Sequence, residues 1–218
     1  NETCEDVCMM KIEAEEKGQL ELSDVSSEIR YGENFLERLV GKKILKNPMV
    51  ALIELLANSW DAGSTDVEII WGVAPTPKLS INDNGEGMTK DEFLHRWNTL
   101  SYNRLLEQGN EVSVLSDALL PRRKVYGRNG IGRFAMFCFS EEFRVDTTKS
   151  NVRSSFIVRR SDNGGRPFVI EFIGSVPDTG HGTKIMVDNN KLCGSSEAFL
   201  ISSIALRFMG DPNFNISA

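Results

Sequence analysis

The strongest constraint in this chain is a helix with too little polarity to stand in water. Residues 49–61 read as one helix, closed by Gly63. Within it Glu54, Asn58 and Asp61 fall at i, i+4 and i+7, on a single stripe. The other faces carry Leu52, Ile53, Leu55, Leu56, Ala57 and Trp60. A helix apolar on most sides is buried, so its narrow polar stripe must face something. One reading is a solvated face. The other is a carboxylate that activates water, with an amide oxygen one turn on that coordinates Mg2+, a hard cation that takes oxygen ligands.

The rest of the chain alternates helix and strand. Residues 1–27 are acidic and weakly patterned, and read as a helical or loose extension. Helix is expected at 33–40, 91–100, 133–139 and 197–209, with a basic loop at 41–48 holding Lys42, Lys43 and Lys46. Strands are expected at 66–73, 78–81, 143–147, 154–160, 167–173 and 184–187, with a proline turn at Pro75 and Pro77. The stretch 161–165 reads as a hairpin. Residues 101–126 show little periodicity, and a loop that long in a compact domain is functional or mobile. Consecutive strands joined by a hairpin and mixed with helices predict an α+β fold, a two-layer sandwich of one mixed sheet with helices on one face.

Three further motifs carry chemistry. Asp83-Asn84-Gly85-Glu86-Gly87-Met88 ends a strand. Its glycines allow a tight turn and close approach of a ligand, and Asp83 can accept a hydrogen bond from an exocyclic amine. A plain hairpin turn reads equally well. Gly127-Arg128-Asn129-Gly130-Ile131-Gly132 opens a helix, and such a loop is an anion site or a hinge. Its spacing is neither the dinucleotide fingerprint nor a Walker loop. Gly182-Thr183-Lys184 opens a strand, where Thr183 could simply cap the turn.

The order and separation of these motifs resemble the gyrase, heat-shock chaperone, histidine-kinase and MutL superfamily of ATPases, over roughly residues 49–187. The similarity is greatest to the MutL, chaperone and MORC-type branches. It implies a Bergerat-type ATP-binding fold over residues 28–218, with a lid at about 101–132. It implies that Glu54 is the general base, that Asn58 is the main protein ligand of Mg2+, and that Asp83 accepts the adenine amino group. Gly85 and Gly87 would let the purine lie against the backbone. Gly127, Gly130, Ile131 and Gly132 would hinge the lid and give N–H groups to phosphate. Thr183 would support adenine through Asp83 or a water. Asp61, Asn84, Met88 and Lys184 would make secondary contacts. Arg122, Arg123 and Lys124 would approach phosphate on lid closure, or form a solvated basic run.

The implied activity is Mg-dependent binding and slow hydrolysis of ATP, driving lid closure and a conformational switch. The alternatives are a non-hydrolysing nucleotide sensor and, with a histidine-bearing helix elsewhere, a phosphotransferase. Implied partners are ATP or ADP, a following transducer-type domain that brings a Lys or Arg to the γ-phosphate, and a nucleotide-dependent second copy. The motifs do not distinguish a protein client from DNA. The net charge of -6 argues against broad nucleic-acid binding by these residues, which would need a basic footprint. The first residue is not Met, so a processed or excised fragment is expected. No apolar run reaches membrane-spanning length. Cys4, Cys8, Cys138 and Cys193 lack the paired spacing of a metal site. They read as free thiols of a cytoplasmic protein.

Overall fold

The computed structural model describes residues 35–72, 78–99, 104–114, 122–127, 130–161, 166–188, 190, 204, 207–208 and 210–217. The expected extension at 1–27, the proline turn, the hairpin tip and most of the expected 197–209 helix lie outside the described residues. Of that last helix, Ile204, Arg207 and Phe208 are helical.

The chain begins with α1 (Phe35–Val40), α2 (Lys42–Lys46) and α3 (Pro48–Asp61). The expected basic loop is therefore a helix. Its lysines flank Ile44 and Leu45, which are buried in the core, and burial of that pair outweighs the local polarity. Asn47 then starts α3: its side-chain oxygen accepts from the N–H groups of Met49 and Val50, with Pro48 in the first turn. Gly63, at φ +74°, ends the helix in the left-handed region.

One seven-stranded mixed sheet follows, built of β1 (Asp66–Trp71), β2 (Leu79–Asp83), β5 (Glu142–Lys149), β6 (Val152–Arg160), β7 (Phe168–Pro177), β8 (Gly182–Val187) and β9 (Asn215–Ser217). Their order across the sheet is β7-β6-β5-β8-β2-β1-β9. All neighbours are antiparallel except β1 and β9. Strand β9 had no counterpart in the sequence reading. It joins by three parallel pairs, starting at Asp66 and Asn215.

Register explains where the core and the site lie. Ile69, Ile81, Ile185, Val145 and Phe156 stand side by side across five strands. This apolar row meets Leu52, Leu55 and Leu56 of α3 and the aromatic rings of Phe93, Phe134 and Phe143. Each such fully buried side chain stabilises by about 1.5–3 kcal/mol. Two residues along the strands, the next row on the same face is Val67, Asp83, Thr183, Thr147 and Ser154. Polarity enters the helix-covered face there.

Helix α4 (Lys90–Asn98) carries a capping box, with Thr89 accepting from the Glu92 N–H and Glu92 accepting from the Thr89 N–H. It stacks Phe93 on Phe156, ring centroids 3.8 Å apart. The weakly patterned segment holds α5 (Arg104–Gln108) and a small ladder of β3 (Glu111–Val112) with β4 (Arg123–Lys124). The predicted helix after the glycine loop is a 3-10 helix, Gly132–Cys138, lying on α3. Among the described residues no helix is long and apolar enough to cross a membrane.

Candidate functional site

A cavity of about 400 Å³ opens between α3, the sheet row of Asp83 and the glycine loop. Glu54, Asn58, Asp61, Asp83, Gly87, Met88, Gly127, Gly130, Ile131, Gly132 and Thr183 all line it. Four motifs spread over 130 positions of sequence thus meet at one volume, within the size range of small-molecule sites. Gly85 lies beside the cavity and not in its wall. A Cβ there would come within 2.6 Å of the Ala62 Cβ, so glycine lets the loop press against the end of α3.

The sheet end of the cavity is tightly knit. Asp83 Oδ1 accepts from the N–H of Gly85 at 2.9 Å and of Thr183 at 3.2 Å, and Oδ2 accepts from the Ser59 hydroxyl at 3.1 Å. A carboxylate offers about four acceptor sites, so one remains on Oδ2. Burial raises the Asp83 pKa above the ordinary value, against the pull of the Gly85 N–H, Ser59, the Thr183 N–H and His181. The loop after Asp83 is fixed at two more points. His181 Nδ1 lies 2.9 Å from Gly85 O, and the Met88 N–H donates to Thr147 Oγ1 at 2.8 Å. Thr147 also meets the Thr183 hydroxyl at 3.2 Å. Gly87 sits at φ +66°, where a Cβ would come within 2.1 Å of Thr148 O, so no other residue fits without moving backbone.

The α3 end is built differently. Glu54 and Asn58 face the cavity, and neither side chain has a hydrogen-bond partner among the described residues. Gly132 passes close above them: a Cβ there would stand 2.8 Å from Glu54 Oε2 and 3.5 Å from Asn58 Oδ1. Burial raises the Glu54 pKa, with Arg207 opposing and Asp61 adding to the rise. Among the described residues no cluster of three or more His, Cys, Asp or Glu side chains could hold a metal. A cation held here would rely on one protein oxygen, Asn58 Oδ1, with ligand oxygens and water completing its shell, a pattern that suits Mg2+.

Several expected contacts take other roles. Asp61 lines the cavity, yet its two oxygens accept from the N–H groups of Tyr126 and Gly127 at 2.7 and 2.8 Å, clamping the glycine loop to α3. Asn84 makes no secondary contact to the cavity. Its side chain accepts from the N–H groups of Thr65 and Asp66 and the Ser64 hydroxyl, stapling the turn between α3 and β1. Lys184 alternates with the cavity-lining Thr183 and Ile185, which turns it to the opposite face of the sheet. Arg123 is neither solvated nor near the cavity. It is buried, donates to Ser64 O, and lies 4.4 Å over the Trp60 ring. Arg122 and Lys124 are exposed, and Arg128 lies outside the described residues.

Sequence reasoning missed Ser59, Thr147 and His181, which hold Asp83 and its loop, and Arg96, Gln108, Tyr126 and Arg133, which line the cavity. Ser59 adjoins Asn58 on α3 and was within reach of a wider stripe. Thr147 carries no local signal, because only register places it beside Thr183.

Residues 46–165 match a family model described as histidine kinase-, DNA gyrase B-, and HSP90-like ATPase. A putative type II restriction enzyme, HgiDII, from Herpetosiphon aurantiacus is 27% identical over 195 residues, covering 86% of this chain and 30% of that protein. The chaperone protein HtpG of Anaplasma phagocytophilum is 29% identical over 168 residues, 67% of this chain and 25% of the relative. The DNA mismatch repair protein MutL of Azorhizobium caulinodans is 33% identical over 58 residues, 27% of this chain and 9% of the relative. The chain thus spans less than a third of the length of these relatives.

Proposed function

The chain belongs to the histidine kinase-, DNA gyrase B- and HSP90-like ATPase family, and we propose that it binds Mg-ATP in the cavity beside α3, as the nucleotide-driven switch of a larger protein. Adenine lies at the Asp83 end, its amino group donating to the free acceptor site on Oδ2. The purine rests over Gly87 and Met88. The phosphates reach the α3 end beneath Gly130 and Gly132. Asn58 is the residue that would hold Mg2+, which when bound offsets charge on the phosphates.

Glu54 takes a proton from the water that attacks the γ-phosphorus, as the bond to the β-phosphate oxygen breaks and ADP leaves. A carboxyl raised by burial is a better base near neutral pH than an ordinary glutamate. Residues 101–132 act as the lid, tied to α3 at its downstream end by Asp61. Hydrolysis by these residues alone is slow, because phosphoryl transfer depends on charge placed around the γ-phosphoryl group. A following domain brings a further cation to the γ-phosphate, and nucleotide-dependent pairing of two copies accompanies the full switch.

The observation that carries this reading is a pair of half-buried polar side chains, Glu54 and Asn58, with no hydrogen-bond partner among the described residues, in the same cavity as the well-bonded Asp83. Polar groups set in a cavity wall without a protein partner are placed to meet a ligand or water. The test is calorimetry with ATP and Mg2+ together with a phosphate-release assay. Nucleotide binding by the wild type, strongly weakened in Asp83→Asn, is the expected result. Wild-type protein that releases no heat with ATP at millimolar concentration would sink the proposal.

A further inference from the structure

Behind the Asp61 clamp lies a second cavity, of about 440 Å³, walled by Arg122, Arg123, Arg207, Trp60, Tyr126 and Phe208. Among the described residues it shares only Tyr126 with the first. Among them its one acidic wall residue is Asp211, set against three guanidinium groups. The described walls thus carry a surplus of two positive charges in a partly enclosed space.

Arg123 shows that this surplus is not fully compensated from within. It is 7% exposed. One nitrogen donates to Ser64 O, another lies 3.7 Å from Asp211 Oδ2, and its plane rests on Trp60. Its Nε–H has no hydrogen-bond partner among the described residues. A buried donor left unmade is costly, so such groups mark places where a partner is missing. Burial lowers the Arg123 pKa, with Asp211 only opposing that fall.

We propose that this cavity is a second ligand site, one that takes a phosphate monoester carried on a flat ring. A phosphate near neutral pH brings about two negative charges and three acceptor oxygens, which match the surplus. A carboxylate would leave one cation unmatched. Guanidinium groups suit phosphate because their donors form a rigid fork. The ring is called for by the aromatic wall: Tyr126 is 39% exposed, and Arg207 stands 5.9 Å from its ring centroid. The volume falls in the range of small-molecule sites. Tyr126 joins the two cavities, and its N–H is one of the two that Asp61 holds. An occupant that moves this ring therefore acts on the clamp beside the nucleotide cavity.

The probe is phenyl phosphate, titrated by calorimetry at fixed ionic strength, with inorganic phosphate as its companion. The proposal expects phenyl phosphate to bind at least about tenfold more tightly than inorganic phosphate, since ring stacking adds to the ionic contacts. An Arg122→Gln/Arg207→Gln variant changes two exposed side chains, and its far-ultraviolet dichroism should match the wild type. It should weaken phenyl phosphate at least about tenfold, the loss expected for a charged hydrogen bond. Asn58→Ala, altered only in the first cavity, should keep the wild-type affinity. Any of three results overturns the proposal: unweakened binding in the double arginine variant, lost binding in Asn58→Ala, or equal affinity for the two probes.

Discussion

The two ends of the cavity beside α3 solve opposite problems. At the sheet end Asp83 has both oxygens engaged, and its loop is pinned by Thr183, Thr147, Ser59 and His181. At the α3 end Glu54 and Asn58 stand on their helix with no side-chain hydrogen bond among the described residues. A rigid end reads what is constant in a ligand, and an open end serves the part that changes. In the proposed reading the first is adenine and the second is the phosphate chain. Preorganisation at one end and vacancy at the other give recognition without blocking chemistry.

The largest effect that can break this contrast belongs to the open end. Glu54→Ala should lower phosphate release by about 10²–10⁴-fold while ATP still binds, since a general base acts only in the chemical step. The same side chain sets an acid limit. Because its pKa is raised and the base must be ionised, hydrolysis should fall with decreasing pH before an ordinary glutamate would titrate. A pH profile unchanged by Glu54→Ala would remove the residue from the chemistry. At the rigid end, Asp83→Asn should weaken ADP by about 10–100-fold, the range set by about 1.5–3 kcal/mol for a charged hydrogen bond. Calorimetry reads this directly, and an unaltered affinity would mean the knit end is scaffold only.

Smaller effects sharpen the boundary between the ends. Asp61→Asn replaces a carboxylate that accepts two N–H groups, so the glycine loop should be cut several-fold faster by protease, with the fold retained. An unchanged rate would show that the clamp is redundant. The mildest change is Glu92→Gln, beneath the rigid end. Burial pushes the Glu92 carboxyl up, but Lys149 and the Thr89 N–H outweigh it and hold the pKa below the ordinary value. A depressed carboxylate stabilises the fold above its unfolded pKa, and that contribution is lost as pH falls through the folded pKa. Glu92→Gln should therefore lower Tm by about 1–4 °C at neutral pH, and the gap should close in acid below the ordinary glutamate range. A gap independent of pH would assign the loss to packing.

Chemistry was more legible in the sequence than connectivity. The α3 stripe announced itself because its polar residues sit on a helix with no other reason to carry them. Asp83 was legible because two glycines follow a strand. Helix α2 reads as a loop because its three lysines outnumber Ile44 and Leu45, though burial of that pair decides the structure. Arg123 was misread because a run of Arg122, Arg123 and Lys124 looks uniformly solvated. In the β3–β4 ladder alternate side chains take opposite faces, and only the middle one turns inward onto Trp60. Asn84 shares its neighbourhood with Asp83 but points the other way, and no motif encodes direction. Strand β9 is three residues long and exists only through its partner β1, so nothing local could reveal it.

The place of β8 bears on how the domain is made. It lies between β5 and β2, near the middle of the sheet, and it begins after the family match has ended. Until it is in place, β7-β6-β5 and β2-β1 are two separate ribbons, each with an open edge and half a floor. Asp83 must wait for a partner 100 positions later in the chain. On a ribosome adding about 5–20 residues per second, that wait lasts on the order of 5–20 s. The floor of the cavity is thus completed late in synthesis, after a period in which both ribbons are open to mispairing. A fragment cut to the matched residues 46–165 would lack β7 as well as β8, and its two ribbons, β6-β5 and β2-β1, would stay unjoined however long it was given.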